Sequence, residues 1–151
     1  MPTTRRARAG RPVFIDTSVL LAAIYEPHEQ HVRSRRVVAR LAPQQGCCAL
    51  HSLAECFAVL TRMPGPTPAP ADVRAALGLV RESFTTIPLT ATDYDVVLAD
   101  LAARRLVGGL VYDALILRCA AQVGAEIIYT WNERHFRRVA PELADRIRAP
   151  E

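Results

Sequence analysis

The sequence has no lysine: its 19 cationic residues other than histidine are all arginine, set against 15 acids for a formal charge of +4. A GC-rich genome favours that skew. Arginine is also the better fork for phosphate, so the balance permits a polyanionic partner without demanding one. Cysteine is scarce. Cys47, Cys48, Cys56 and Cys119 form neither a C-x-x-C pair nor a spaced zinc set, and their neighbours are apolar. They read as buried free thiols in a reducing cytoplasm, because a domain this size needs no disulfide staples. No uncharged apolar run approaches the ~18 residues of a membrane span. Asp16 cuts the apolar stretch behind the basic start too early for a signal peptide. What is present suffices for one core: 151 residues, half of them hydrophobic and 23% charged, make one globular domain.

Residues 1–11 carry Arg5, Arg6, Arg8 and Arg11 among small and polar neighbours and are expected as a flexible basic arm; residues 12–151 form the domain. Val13-Phe14-Ile15 reads as a buried strand, followed by a helix capped near Thr17 or Ser18 that runs toward Pro27. Residues 28–41 set Val32, Val37, Val38 and Leu41 among Arg33, Arg35, Arg36 and Arg40, an amphipathic helix with a cationic face. Pro43 and Gly46 bracket a turn, residues 47–50 a second strand, and residues 52–62 a helix. Pro64, Pro66, Pro68 and Pro70 forbid regular structure and leave a surface loop. A helix follows over 71–82, then a third strand over 85–89, at an edge because Pro88 lacks a donor. A long helix opens at Thr90 and runs to about Arg105; Gly108-Gly109 breaks the chain, and a helix over 112–123 closes at Gly124. A fourth strand over 126–130, a turn or short helix over 131–136, a helical turn over 141–145 and a short last strand at 146–148 complete the chain.

Short strands alternating with longer helices argue for an α/β fold, a parallel sheet covered on both faces. Ligands of such sheets sit at the carboxyl ends of the strands, near a topological switch point. Asp16 and Asn132 each follow a strand and belong to that rim.

Four polar residues interrupt apolar segments: Asp16, Glu55, Asp113 and Asn132. A charge in such a setting is costly unless paired or bound to a metal. Carboxylates that converge without a cation raise one another's pKa. Oxygen donors without clustered His or Cys suit Mg²⁺ or Mn²⁺ over Zn²⁺, and phosphodiester hydrolysis is the chemistry such a site serves. Plainer roles stand beside these. Asp16 can be an N-cap, Ser52-x-x-Glu55 matches a capping box, Asp113 can be a first-turn acid favoured by the helix dipole, and Asn132 a turn residue. Thr90-x-x-Asp93 is also a capping box, with Asp93, Asp95 and Asp100 read as helix surface.

Taken in order, the four segments resemble PIN-domain ribonucleases. Phe14-Ile15-Asp16-Thr17-Ser18-Val19-Leu20 is similar to their opening strand motif, Ser52-Leu53-Ala54-Glu55 to their second acidic position, and Gly108 to Ile116, around Asp113, to their third. Thr130-Trp131-Asn132-Glu133-Arg134-His135-Phe136 is similar to the closing T-x-D/N-x-x-x-F signature. The compact chain looks most like the VapC toxins of bacterial toxin–antitoxin pairs. The resemblance spans residues 13–148 and implies a PIN-like three-layer sandwich with about five parallel strands. It implies an Mg²⁺- or Mn²⁺-dependent endoribonuclease, a homodimer neutralised by a VapB-type antitoxin. Asp16 and Asp113 map to metal-coordinating carboxylates, Glu55 to a third acid reaching the metal directly or through water, and Asn132 to a position the family often fills with Asp. Asn132 supplies oxygen without charge, so one well-held metal is expected, with Glu133 able to compensate in part. The expected products are a 5′-phosphate and a 3′-hydroxyl, with His28, His31, His51 and His135 unassigned.

An acidic pocket repels RNA, so the rim must attract it. Arg33, Arg35, Arg36, Arg40, Arg134, Arg137 and Arg138 are candidate phosphate contacts, or else solvated helix faces. Nine aromatics make no RNA-recognition-motif platform; Trp131 either stacks on a base or packs against the sheet end. An antitoxin helix would lie in an apolar groove lined by the helices either side of Pro27 and the one after Ser52. The alternatives are a PIN nuclease of RNA processing and a PIN-fold binding module without catalysis. A phosphoacceptor receiver domain wants a lysine that this chain lacks.

Overall fold

The computed structural model describes residues 10–41 and 45–151. The expected arm lies mostly outside the described residues, as does Pro43. Arg11 lies inside them and pairs with Glu126 at 2.6 Å. Five strands form one sheet: β1 (Val13–Ile15), β2 (Gly46–Ala49), β3 (Thr85–Ile87), β4 (Ile127–Tyr129) and β5 (Ile147–Arg148). Their order is β3-β2-β1-β4-β5, and every pairing is parallel. The helices are α1 (Thr17–Ile24), α2 (His31–Arg40), α3 (Leu50–Leu60), α4 (Pro70–Ser83), α5 (Ala91–Ala103), α6 (Leu110–Gln122) and α7 (Glu133–Val139), with a 3-10 turn over Pro141–Arg146.

The strands read as continuous apolar runs because both faces of the sheet are covered. Alternation along each strand divides the core in two. Phe14, Cys47, Ala49 and Ile128 pack with Val97 and Leu101 of α5, Ala114 and Leu117 of α6, and Phe136 of α7. Val13, Ile15 and Cys48 pack on the opposite side with Val19 and Leu20 of α1, Val37 of α2, Cys56 and Leu60 of α3, and Val73 and Leu77 of α4. The chain starts in the middle at β1, steps outward to β3, then returns to the other side of β1 at β4. That reversal opens a crevice beyond the carboxyl ends of β1 and β4, the usual ligand position in such sheets.

The second strand begins at Gly46 rather than after a turn there, and for a packing reason. A Cβ on Gly46 would overlap the ring of Phe84. Helix α3 starts at Leu50 with Ala49 as its N-cap, which puts Ser52 inside the first turn. The capping-box reading of Ser52 and Glu55 is therefore wrong, and Glu55 is left free for another role. The Thr90–Asp93 box is real: Asp93 N–H donates to Thr90 Oγ1 at 3.3 Å and Thr90 N–H to Asp93 Oδ2 at 2.9 Å. Asp93 is not helix surface, however. It is buried, and its second oxygen takes a bond from Arg118 Nε at 2.9 Å. Gly124, at φ +61°, ends α6 as expected: Ala125 N–H reaches Ala120 O and Gly124 N–H reaches Ala121 O, both at 3.0 Å.

Candidate active site

Asp16 leaves β1 in an extended conformation at the N-cap position of α1, yet its side chain makes no capping bond. It points into the crevice-side network instead. Oδ2 accepts from Ser18 Oγ at 2.6 Å and from Thr130 Oγ1 at 2.8 Å, and the residue is 2% exposed. Burial pushes this carboxyl above its ordinary range, while the Ser18 and Thr130 hydroxyls pull it back. The same hydroxyls hold the loop after β4. Asn132 N–H donates to Thr130 Oγ1 at 2.9 Å, and Trp131 N–H donates to Ser18 Oγ at 3.1 Å.

Asp113 reaches the site from the first turn of α6, which Gly108, at φ +66°, and Gly109 start. Its carboxyl is pushed up to about 6, by burial first and by the charge of Asp16 second, with His135 opposing. His135 Nδ1 lies 3.6 Å from Asp113 Oδ2. Glu55 comes from the second turn of α3. Burial raises it, Asp16 raises it further, a hydrogen bond with Thr17 lowers it, and Asp113 adds a last upward push. Hydrogen-bonded hydroxyls of Thr17 and Ser52, 2.7 Å apart and buried, tie α1 to α3 and so Asp16 to Glu55. His51 Nε2 lies 3.7 Å from Glu55 Oε1, but burial lowers the imidazole pKa, which leaves Glu55 without a firm counter-charge.

The fold thus brings Asp16, Glu55 and Asp113 within electrostatic reach of one another at the switch point. Asn132 stands apart at the exposed N-cap of α7. It borders a cavity of about 640 Å³ with Trp131, Glu133, Arg134, His135 and Arg137. Glu133 does not join the acids; Arg137 Nη2 holds it at 2.8 Å. Arg33, Arg35, Arg36 and Arg40 are exposed on α2, and Arg134 and Arg138 on α7; none of them forms an ion pair among the described residues. Arg137 is partly spent on Glu133 and on Ile147 O at 3.1 Å.

Sequence reasoning did not find Ser34, which is buried and accepts Trp131 Nε1–H at 2.9 Å, or the Thr17–Ser52 pair. It left His135 unassigned, although its place in the closing signature near Asn132 was a usable signal.

Three carboxylates raised by burial, with Asp16 pushing Glu55 and Asp113 up further, call for a cation, and their hard oxygens fit a divalent one. Among the described residues, no group of three or more His, Cys, Asp or Glu side chains is placed to hold an ion. That arrangement fits a cation that takes one or two protein carboxylates and keeps waters or substrate oxygens, as Mg²⁺ does.

The chain is similar to known proteins in sequence and in fold. The PIN domain family model matches residues 13–141. Ribonuclease VapC27 of Mycobacterium tuberculosis is 35% identical over 118 residues, covering 77% of this chain and 82% of that protein. Ribonuclease VapC40 of the same organism is 34% identical over 114 residues, 75% and 81% of the two chains. Two solved structures share the fold. VapC20 of M. tuberculosis, a sarcin–ricin loop cleaving toxin, aligns with a TM-score of 0.67 at 19% identity over 82% of this chain and 92% of its own. VapBC2 of Rickettsia felis, solved bound to a DNA fragment from its promoter, aligns with a TM-score of 0.63 at 17% identity over 92% and 99%. With its strand order, its three switch-point acids and this likeness along most of its length, the chain belongs to the PIN-domain family, as a VapC-type ribonuclease.

Proposed function

We propose that this protein is the toxin of a toxin–antitoxin pair, an Mg²⁺- or Mn²⁺-dependent endoribonuclease whose site is Asp16, Glu55 and Asp113, with Asn132 at its edge. The observation that carries the reading is the gathering of Asp16, Glu55 and Asp113 at the β1–β4 switch point, all three raised by burial and the latter two also by the charge of Asp16. Asp16 and Asp113 would hold the cation, with Glu55 reaching it directly or through water. A bound divalent ion supplies a lowered pKa for water and charge stabilisation at the phosphoryl group. Ser18 and Thr130 fix the orientation of Asp16, and the Thr17–Ser52 bond sets where Glu55 stands. Asn132 contributes an amide without charge at the edge of the site, apart from the acids. Arg33, Arg36 and Arg40 on α2, and Arg134, Arg137 and Arg138 on α7, supply the positive rim for RNA phosphates.

A VapB-type antitoxin is the proposed partner. An apolar groove of about 640 Å³ runs between Leu20, Ala23 and Ile24 of α1, Val38 of α2 and Leu79 and Val80 of α4. Apolar grooves between helices are where an amphipathic helix lays its apolar face. Helix α4, rather than the expected α3, completes it. Exposed Tyr94 and Leu98, one turn apart on α5, are a surface a second copy would cover in a homodimer. The four cysteines, buried and unbridged, support a reducing cytoplasm, and among the described residues no helix is long and apolar enough to cross a membrane.

The test is cleavage of a panel of structured RNAs with Mg²⁺ or Mn²⁺, with EDTA as control. Cutting that needs metal and disappears in folded Asp16→Asn and Asp113→Asn supports the reading. Cutting that survives both substitutions overturns the assignment of the site.

A further inference from the structure

We propose that Trp131 is a base-stacking platform, and that the cavity it forms with Asn132, Arg134 and His135 receives a nucleobase next to the cleaved phosphodiester. The inference rests on the ribonuclease reading and adds to it a residue that holds the RNA by a base. Three observations converge. The indole N–H donates to the buried Ser34 hydroxyl at 2.9 Å, so the one polar atom of the ring is already satisfied and the ring is held in one orientation. Its backbone N–H donates to Ser18 Oγ, whose hydroxyl donates to Asp16, which places the Trp131 backbone two hydrogen bonds from the deepest carboxylate. Trp131 is half-buried, packs against the α1–α4 side of the core and is among the residues that line the cavity.

The other walls suit a nucleotide. Arg134 is exposed and without an ion pair among the described residues, and is free to meet a phosphate. Asn132 is exposed, and its side chain caps no helix, so its amide can donate to and accept from a base edge. His135 borders the same cavity and its Nδ1 stands 3.6 Å from Asp113 Oδ2, so one wall of the cavity adjoins one of the acids. Single-stranded loops are read in this way, with bases splayed onto aromatic side chains and hydrogen-bonded along their edges. A tryptophan that only filled the sheet end would need no border with this cavity.

Trp131 is the only tryptophan in the chain, so its fluorescence reports this site alone. The experiment titrates the full chain with a short single-stranded RNA, in EDTA and in the first seconds after adding Mg²⁺. Affinity is followed by anisotropy of a labelled oligonucleotide. A second oligonucleotide carries abasic positions in the same backbone. The expected result is quenched emission with the normal RNA and little quenching with the abasic one. Trp131→Leu should weaken binding roughly 5- to 150-fold and bind normal and abasic RNA alike; Trp131→Phe should keep most of the discrimination. If Trp131→Leu does not fold, the wild-type abasic comparison and Trp131→Phe still decide. RNA binding with unchanged emission and no abasic discrimination overturns the inference while leaving the ribonuclease reading intact. No RNA binding under either condition overturns both.

Discussion

Thr130 and Asp16 are joined across the sheet's switch point by one hydroxyl that works in two directions. It donates to Asp16 Oδ2 at 2.8 Å and accepts the backbone N–H of Asn132 at 2.9 Å. The end of β4 is thereby locked to the end of β1, and the closing loop takes its position from the first carboxylate.

Replacing Thr130 with valine keeps the shape and removes both bonds. A hydrogen bond to a charged group is worth about 1.5–3 kcal/mol, and loss of a partner that orients a metal ligand typically costs about 10- to 100-fold in affinity or rate. Thr130→Val should lower RNA cleavage by that factor while the fold persists, and Thr130→Ser should restore most of it. Rates compared at matched folded fraction provide the check.

Asp113 makes the metal-free protein pH-sensitive. Its folded value of about 6 lies above the ordinary 3.8, so between those values the native state holds more protons than the unfolded chain. Stability from this group is full below about pH 4 and is lost as pH rises through about 6. Its side chain is 14% exposed, and the loss should be on the order of 2 kcal/mol. In EDTA, Asp113→Asn should be more stable than wild type at pH 8, with the gap closing near pH 4. Urea titrations at the two pH values read this directly; equal stability at both would contradict it.

Asp93 works in the opposite direction. Bonds from the Thr90 backbone, the Thr90 hydroxyl and Arg118 hold its carboxyl down at about 2. Its contribution is present above the ordinary carboxylate value and is lost as pH falls toward 2. Asp93→Asn should lower the melting temperature at pH 7 and make unfolding between pH 4 and 2 less steep. A melting temperature that does not change at pH 7 would show that the half-buried Asp93–Arg118 pair does not hold α5 to α6.

Arg105 ends α5 in the left-handed region at φ 54°, with Leu106 N–H bonded to Leu101 O at 2.9 Å, a turn usually given to glycine. Arg105→Gly should stabilise the protein by about 0.5–1 kcal/mol, the left-handed strain relieved less the added chain entropy. Denaturant midpoints would show it.

Much of this was legible in the chain. Val13 to Ile15 and Ile127 to Tyr129 declared themselves as short apolar runs ended by polar residues, and Pro88 marked β3 as an edge strand, where it lies. Asp16 and Asp113 stood out because each broke an apolar segment. The polar ties that position the site did not. Thr17–Ser52, Asp93–Arg118 and Ser34–Trp131 join residues 35, 25 and 97 apart, and composition and periodicity carry no such distances. Ser52 misled because its spacing to Glu55 imitates a cap; the helix starts two residues earlier, and Ser52 faces Thr17 instead. Gly46 misled because glycine signals a turn, whereas here it makes room for Phe84.

The most direct measurement is calorimetric titration of the metal-free protein with Mn²⁺ near pH 7.5, in two buffers of different ionisation enthalpy. The predicted result is one well-held ion per chain, with proton release that grows when the titration is repeated near pH 6, where Asp113 is partly protonated and must ionise to bind. That site should be absent in folded Asp16→Asn and Asp113→Asn. Mn²⁺ binding of equal strength in wild type and both variants would contradict the assignment of these carboxylates.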